Sequence, residues 1–213
     1  MRDVPGDLVD GGENAPSHDA GGKACWPLLP GYRGAATFAG PGDCYRLRLI
    51  RDRETAPYAP YALWVGMNPS TAEAEVDDPT IRRELAFTEQ WPVGAYWKIN
   101  VGDYRATDPR ALRSAPVPLV APGSLRRKVN TARVAKLVVM AFGRLPPVLL
   151  PHGRNLVEAF AEAGIDMLCL GVTADGSPKH TLARGRHRIP NDAPLQPWDP
   201  TPWLNRAAEG GAS

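Results

Sequence analysis

The stretch YALWVGMNPSTAEAEVDDPTIRREL, residues 61–85, contains three different kinds of structural signal in succession. It opens with a continuous apolar run, breaks at the loop GMNPS (66–70), and continues into a segment that begins with Asp78 and Pro79. A short apolar run bounded by turn residues is typical of a buried strand, and an Asp followed by Pro is typical of the start of a helix. The stretch therefore predicts a strand, a polar loop and a helix, in that order.

Three further apolar segments predict strands, namely AYWKINV (95–101), KLVVMAF (136–142) and DMLCLGV (166–172). Between the last two, GRNLVEAFAEAG (153–164) has the apolar spacing of a helix and ends in glycine. Strands that alternate with helices pack as a mainly parallel sheet with helices on its faces. The predicted fold class is therefore α/β, a three-layer sandwich with a mainly parallel central sheet.

Two segments upstream of this unit predict a β-hairpin. GAATFAG (34–40) and CYRLRLIRD (44–52) alternate in character and flank the Gly-Pro-Gly-Asp cluster at 40–43. Turn-forming residues between two alternating segments are typical of a hairpin. We therefore expect an N-terminal β-hairpin that covers one edge of the sheet.

Length and composition limit the function classes. The 213 residues suit a single domain at 31–205, after a tail rich in Gly, Asp and Pro (1–30) and before a short C-terminal tail (206–213). A formal net charge of +2 neither favours nor excludes a nucleic-acid partner. Scattered cysteines and histidines, and the lack of nucleotide-binding glycine motifs, predict no metal and no cofactor. Without a signal-peptide pattern or a membrane-spanning segment, we expect a cytoplasmic protein with no membrane contact.

Polar loops follow the predicted strands, and in α/β sheets ligands bind in the loops at the carboxyl ends of strands. The last such loop, GVTADGSPKHTLARGRHR (171–188), is the most basic stretch of the chain. Basic side chains, hydroxyls and backbone amides suit the phosphates of a nucleic-acid backbone, and the alternative is an ordinary solvated loop. The residues expected to contact a DNA backbone are Ser177, Lys179, Thr181, Arg184, Arg186 and Arg188.

A family resemblance is carried by four motifs, which occur in the order GMNPSTAEAEVDDPTIRR, INVGDYRATDPRAL, VVMAFG and LGVTADGSPKHTL. They resemble family 1643 of the domains of unknown function, a set of bacterial and phage proteins. More distantly, their order is similar to that of the uracil-DNA glycosylase superfamily, in its mismatch-specific branch with an Asn-Pro motif. That second resemblance implies a uracil-DNA glycosylase-like fold and an enzyme that excises a base flipped out of DNA.

The glycosylase resemblance implies roles for three residues. Asn68 matches the residue that positions water, Asn100 matches the amide that reads the base, and His180 matches the histidine of the last loop. The sequence also departs from the pattern in two ways. Ser70 stands where the mismatch-specific branch has a glycine after Asn-Pro, and the His-Pro-Ser order of the last loop is absent.

The chemistry of N-glycosidic hydrolysis explains why these residue types fit. The sugar becomes oxocarbenium-like, so the site needs groups that place water, stabilise charge on the departing base and supply a carboxylate. Asn68 can orient water without acting as a base, and a neutral His180 can donate a hydrogen bond to the departing base. Asp78 and Asp103 are the candidate carboxylates, and the alternative for Asp78 is a cap of the helix that follows it.

The remaining expected contacts are with the substrate. Asn100 can both accept from and donate to a base edge, although an amide at a strand end can satisfy backbone groups instead. Tyr104 and Phe142 can stack on a flipped base, although aromatic residues on strands more often pack in the core. The turn after the first strand contributes further contacts from Gly66, Met67, Pro69 and Ser70.

Together these features predict a DNA glycosylase, a hydrolase that flips a pyrimidine out of double-stranded DNA, excises it and leaves an abasic site. The resembling family occurs with phages and mobile elements. This indicates a modified base, such as glucosylated hydroxymethylcytosine in phage DNA, and hence a role in antiviral defence. Two alternatives stay open: a non-catalytic nucleic-acid-binding protein, which would release no base, and a hydrolase of free nucleosides or nucleotides, which would depend little on the basic loop.

Overall fold

The computed structural model of this protein describes residues 16–18, 24–56, 59–70 and 72–209. The tails expected at both ends of the chain therefore lie partly outside the described residues. Within the expected N-terminal tail, Ala24–Pro27 form a strand in which Cys25 is buried. Composition marked this segment as a tail because it has few large apolar side chains, whereas its pairing with a strand some fifty residues away gives it structure.

Ten strands lie in the described part of the chain, in two sheets. They are β1 (Ser17–His18), β2 (Ala24–Pro27), β3 (Tyr32–Ala39), β4 (Tyr45–Arg53), β5 (Tyr61–Gly66), β6 (Val76–Asp77), β7 (Ala95–Asn100), β8 (Leu137–Met140), β9 (Met167–Cys169) and β10 (Gln196–Pro197). The larger sheet has the order β10-β9-β8-β5-β7-β4-β3, and the smaller has the order β1-β2-β6. Strand β5 lies at the centre of the larger sheet and is buried along its whole length.

The predicted three-layer sandwich with a mainly parallel central sheet, similar to uracil-DNA glycosylases, is wrong. Only the pairings β5–β7, β5–β8 and β8–β9 are parallel in the larger sheet. The pairings β3–β4, β4–β7 and β9–β10 are antiparallel, as are both pairings of the smaller sheet. The larger sheet is mixed because the hairpin joins it antiparallel through β4 and β10 pairs antiparallel with β9. Strand β10 was not predicted because it is too short to leave an alternating pattern in the sequence.

Other predicted elements are present. The hairpin pairs antiparallel from Tyr32↔Arg53 to Ala39↔Tyr45, and β3 is an edge strand of the larger sheet. The four apolar segments predicted as strands contain β5, β7, β8 and β9. These strands were therefore predicted in the correct order along the chain. The antiparallel pairing of β4 with β7 and the strand β10 were not predicted.

Four α-helices lie in the described residues: α1 (Pro79–Thr88), α2 (Ser124–Arg133), α3 (Leu150–Glu162) and α4 (Thr201–Glu209). Helix α1 packs on the face of the sheet that carries Ala62 and Trp64, whereas α3 packs on the opposite face with Leu63 and Val65. Alternate residues of β5 thus serve two cores, which is why its sequence is apolar throughout. Among the described residues, no helix combines the length and apolar character needed to cross a membrane.

Two buried arginines of β4 fix the loop between β5 and α1. The Arg46 Nη1 donates to the backbone oxygen of Ala72 at 2.6 Å, and the Arg51 Nη2 donates to that of Glu73 at 2.7 Å. The Arg51 Nε also forms an ion pair with Asp77 at 2.8 Å. Burial raises the pKa of Asp77, although Arg51 opposes that shift. These contacts hold the C-terminal part of the loop that carries Asn68, from Ala72 to Asp77, against the sheet.

Candidate active-site cleft

A cleft of about 460 Å³ opens at the carboxyl ends of β5 and β7. Its walls are the loop after β5, the first turn of α1 and the basic loop that follows β9. Residues far apart in the sequence share the cavity because parallel strands end side by side at this edge. The charged and amide side chains that line it are Arg46, Asn68, Asp78, Lys98, Asn100 and Arg184, and His180 lies among them.

The amide of Asn68 is held in one orientation by the backbone. Its Nδ2 donates to the oxygen of Pro69 at 3.0 Å and to the oxygen of Ala106 at 2.8 Å. The backbone nitrogen of Ala106 in turn donates to the oxygen of Pro69, which closes the turn. Because Nδ2 is committed to these carbonyls, Oδ1 is the atom that can accept a hydrogen bond from a water or a ligand. Pro69 itself is buried and contributes its carbonyl rather than a lining surface.

His180 lies at the cleft wall and accepts a hydrogen bond at Nδ1 from the backbone nitrogen of Leu182, at 3.1 Å. A ring nitrogen that accepts carries no proton, so this bond selects the neutral tautomer with the proton on Nε2. The loop is packed tightly here. A Cβ atom on Gly143 would lie 3.1 Å from the Cβ of His180, and Gly143 has a φ of +67°. Glycine at this position lets the end of β8 approach the histidine.

Lys98 and Asn100 form the floor of the cleft, and both are buried. The Asn100 Oδ1 faces Gly66 and has no hydrogen-bond partner among the described residues. A Cβ on Gly66 would lie 2.7 Å from that oxygen and 3.0 Å from the Cε of Lys98. Gly66 therefore makes room for two long polar side chains at the point where β5 ends.

Glu84 of α1 holds this floor together from below. Its carboxylate accepts from the Lys98 Nζ at 2.5 and 2.7 Å, from the Tyr96 hydroxyl at 2.6 Å and from the Thr181 Oγ1 at 3.4 Å. Burial, and then the charge of Glu84, raise the pKa of Tyr96 well above its ordinary value, so the phenol remains a donor. One carboxylate thus joins α1, β7 and the last loop.

Asp78 caps α1 and also lines the cleft. Its Oδ1 accepts from the backbone nitrogen of Ile81 at 2.9 Å, the bond expected of an N-cap. The buried guanidinium of Arg46 lines the same cavity. Burial lowers the pKa of Arg46 to about 10, and the charge of Asp78 opposes that shift. Arg46 therefore stays cationic at neutral pH, and its Nε has no partner among the described residues.

Among the predicted catalytic and base-stacking residues, the structure places Asp103, Tyr104 and Phe142 away from the cleft lining. Asp103 is fully buried, where it pairs with the Lys128 Nζ at 3.0 Å and accepts from the backbone nitrogen of Ala121 at 2.9 Å. Tyr104 forms a backbone bridge with Tyr45. Phe142 is fully buried against two tryptophans of the C-terminal region, at 198 and 203. Asp103 and Phe142 therefore contribute to the interior, and sequence position alone did not distinguish these roles.

The basic loop contributes unevenly to the cleft. Of the six residues expected to contact a DNA backbone, Arg184 lines the cavity. Ser177 and Thr181 are buried, whereas Arg186 and Arg188 are exposed. The Lys179 side chain crosses Gly171, since a Cβ there would lie 3.4 Å from its Cδ. From the turn after β5, Gly66, Met67 and Ser70 line the cavity.

Sequence reasoning missed the charged residues of the cleft floor, Arg46, Lys98 and the supporting Glu84. A signal for one of them was present: Lys98 interrupts the apolar run AYWKINV, and a lysine in a strand buried on both faces requires a partner. That partner, Glu84, lies in a different element, so local spacing could not identify it. The described residues contain no group of three or more His, Cys, Asp or Glu side chains arranged to hold a metal ion.

Comparison with known proteins gives one match. The model of a family described as "Protein of unknown function (DUF1643)" matches residues 45–182. That range includes the cleft residues from Arg46 to Leu182, and leaves out Ala24 and Arg184. No curated protein and no solved structure matches the chain.

Proposed function

The chain belongs to the DUF1643 family, and from that premise we propose that it is a DNA glycosylase that excises a pyrimidine base by hydrolysing its N-glycosidic bond. One observation carries the proposal: Asn68, Asp78, Asn100 and His180 come from four different parts of the chain and line a single cleft. They supply the types of group that this hydrolysis needs, namely a water-orienting amide, a carboxylate, a base-reading amide and a hydrogen-bond donor for the departing base.

In the proposed reaction, water attacks C1′ of a nucleotide flipped into the cleft. Asn68 Oδ1 accepts a hydrogen bond from that water and orients it, because Nδ2 is held by two carbonyls. The Asp78 carboxylate favours the positive charge that develops on the sugar. His180 donates from Nε2 to the base as negative charge develops there.

The proposed substrate is DNA, and the proposed target within it is a modified pyrimidine. Arg184 at the cleft, and the exposed Arg186 and Arg188 beyond it, are suited to the phosphates on either side of a flipped nucleotide. The resemblance of the ordered motifs to uracil-DNA glycosylases supports base excision, and Ser70 in place of glycine supports a base other than uracil. Excision of modified bases would leave abasic sites in phage DNA and block its replication, which is the proposed role in defence.

The test is release of a free base from DNA. Purified wild-type protein is incubated with unmodified DNA, uracil-containing DNA and phage DNA with hydroxymethylated or glucosylated cytosine. Mass spectrometry then detects free bases, and alkali cleavage detects abasic sites. Asn68→Ala removes the water-orienting oxygen, and we expect base release to fall about a hundredfold or more, as for the loss of a preorganised catalytic group.

Asn130→Ala is the matched control, because Asn130 is an exposed amide on α2 that does not line the cleft. It should release base at the wild-type rate. Salt-sensitive DNA binding without any base release would instead indicate the non-catalytic binder. Release of base from free nucleosides, with no dependence on Arg184, would indicate the nucleoside hydrolase.

A further inference from the structure

The floor of the cleft contains an ammonium group to which the proposed reaction assigns no role. Lys98 lines the cavity but is only 4% exposed. A Cβ on Gly66 would lie 3.2 Å from its Nζ, so the ammonium lies against the last residue of β5, where the loop with Asn68 begins. Two of its hydrogen bonds go to the Glu84 carboxylate. An ammonium has three N–H donors, so the described residues leave one for a ligand.

The positive charge of Lys98 is only partly balanced by Glu84. The same carboxylate also accepts hydrogen bonds from the Tyr96 hydroxyl and the Thr181 Oγ1, which draw on its negative charge. A buried lysine is costly unless it is paired, and Glu84 provides that pairing from the side away from the cleft. Glu84 thus holds the ammonium in place at the floor of the cleft.

The other charges of the cleft add to this field. Arg46 and Arg184 also line the cavity, and Asp78 is the carboxylate among the lining residues. His180 accepts at Nδ1 from the Leu182 nitrogen, so its own donor is Nε2. Of the cations that line the cleft, Lys98 lies with Asn100 against Gly66, beside the amide proposed to read the base.

We propose that Lys98 is a catalytic residue that binds the departing base as an anion, which extends the proposed function and rests on it. When the C1′–N bond breaks, its electron pair moves onto the base, and the charge spreads to a ring carbonyl oxygen that accepts from Nζ. Water bonds to C1′ and loses a proton, and the base takes up a proton from solvent on release. The substrate class is therefore a base with a ring carbonyl that can leave without prior protonation.

The experiment measures binding of an anionic base directly and needs no catalysis. The probe is 5-nitrouracil, a free pyrimidine whose nitro group makes a ring N–H ionise at mildly acidic pH with a change in absorbance. We expect the wild-type protein to bind the anion at least about tenfold more tightly than the neutral form, since a cation within hydrogen-bond distance lowers the pKa of an acid by about one to three units. The absorbance of the bound probe at a fixed pH reports this preference.

Lys98→Met should reduce the preference for the anion about tenfold, to what Arg46 and Arg184 contribute. Because that change leaves Glu84 buried and unpaired, the double variant Lys98→Met/Glu84→Gln is measured beside it, and it should show the same reduction. Lys136→Met is the control, since Lys136 is an exposed lysine outside the cleft. Retention of the wild-type preference in the double variant, or no binding of 5-nitrouracil by the wild type, overturns the proposal. Base release from DNA is measured separately. Base release without an anion preference would overturn only the role of Lys98, whereas no base release from any DNA would overturn the proposed glycosylase activity.

Discussion

At the scale of single residues, the lack of a side chain at Gly66 leaves the space that Lys98 and Asn100 occupy at the cleft floor. The substitution Gly66→Ala places a methyl group 2.7 Å from the Asn100 Oδ1 and 3.0 Å from the Lys98 Cε. Because both neighbours are buried, we expect the free energy of unfolding to fall by about 1–3 kcal/mol, as for overpacking of an interior. Ligand binding at the floor should be lost as well. Urea unfolding and binding of 5-nitrouracil check the two effects.

Gly164→Ala is the control for this prediction. Gly164 follows α3 and has a φ of +66°, and a Cβ at this position would have no neighbouring atom within 4 Å. Alanine is strained in that conformation, so this variant should also lose about 1 kcal/mol of stability. Since Gly164 lies outside the cleft lining, binding should be unchanged. Equal loss of binding in both variants would show that Gly66→Ala acts only through stability.

A second residue, His152 in α3, makes stability depend on pH. Burial lowers the pKa of His152 below its ordinary value, the charge of Lys128 lowers it further, and Asp103 opposes the shift. The unfolded chain therefore binds a proton at a pH where the folded chain does not, and stability is lost as pH falls from about 6.5 toward the folded pKa. We expect His152→Gln to lose less stability than the wild type between neutral and mildly acidic pH. Identical pH dependence of urea unfolding in the two proteins would contradict this.

Single residues also mark the limit of what the sequence could predict about the site. Asn68, Asn100 and His180 stand out because each polar group follows an apolar strand or lies in a polar loop. Lys98 and Glu84 do not stand out, because the role of each depends on the ion pair between them, and they lie in different elements. Asp103 had the same sequence context as a functional carboxylate, yet a lysine from α2 makes it part of the interior.

At the scale of elements, α1 allows the two roles of Asp78 to be separated. Asn is as good an N-cap as Asp, so Asp78→Asn should keep the bond to the Ile81 nitrogen and the stability of the helix while removing the carboxylate charge. Asp78→Ala removes the cap as well and should cost about 1 kcal/mol of stability. If the carboxylate acts in catalysis, base release falls in both variants, and if it is only a cap, Asp78→Asn is fully active.

The elements also show which sequence signals are reliable. Strands β5, β7, β8 and β9 and helices α1 and α3 were predicted because their apolar residues repeat with a clear period or run. Helix α2 was not predicted, because its buried residues are Ser124, Lys128 and Ala132, a set with one apolar side chain, and Lys128 is buried through its ion pair with Asp103. The antiparallel pairing of β4 with β7 was not predicted because pairing partners, not local residues, set strand direction, and β10 was not predicted as a strand.

At the scale of the whole molecule, the proposed function requires that DNA meets the protein at the cleft side. Arg184→Gln should reduce the slope of log affinity against log salt for duplex DNA by about 0.9, the value for one lost phosphate contact. Arg133→Gln, on α2 and outside the cleft lining, should leave the slope unchanged. Filter binding over a range of salt concentrations measures both slopes. A larger change from Arg133→Gln would indicate that DNA lies on a different face.

The position of Thr181 has a consequence for synthesis of the protein. Its hydroxyl reaches Glu84 across 97 residues of chain, and Glu84 in turn holds the lysine at the floor of the cleft. A nascent chain therefore cannot complete the cleft until its last loop has left the ribosome. On the proposed function, a chain that ends before Thr181 should therefore release no base from DNA, because it lacks cleft residues of the last loop.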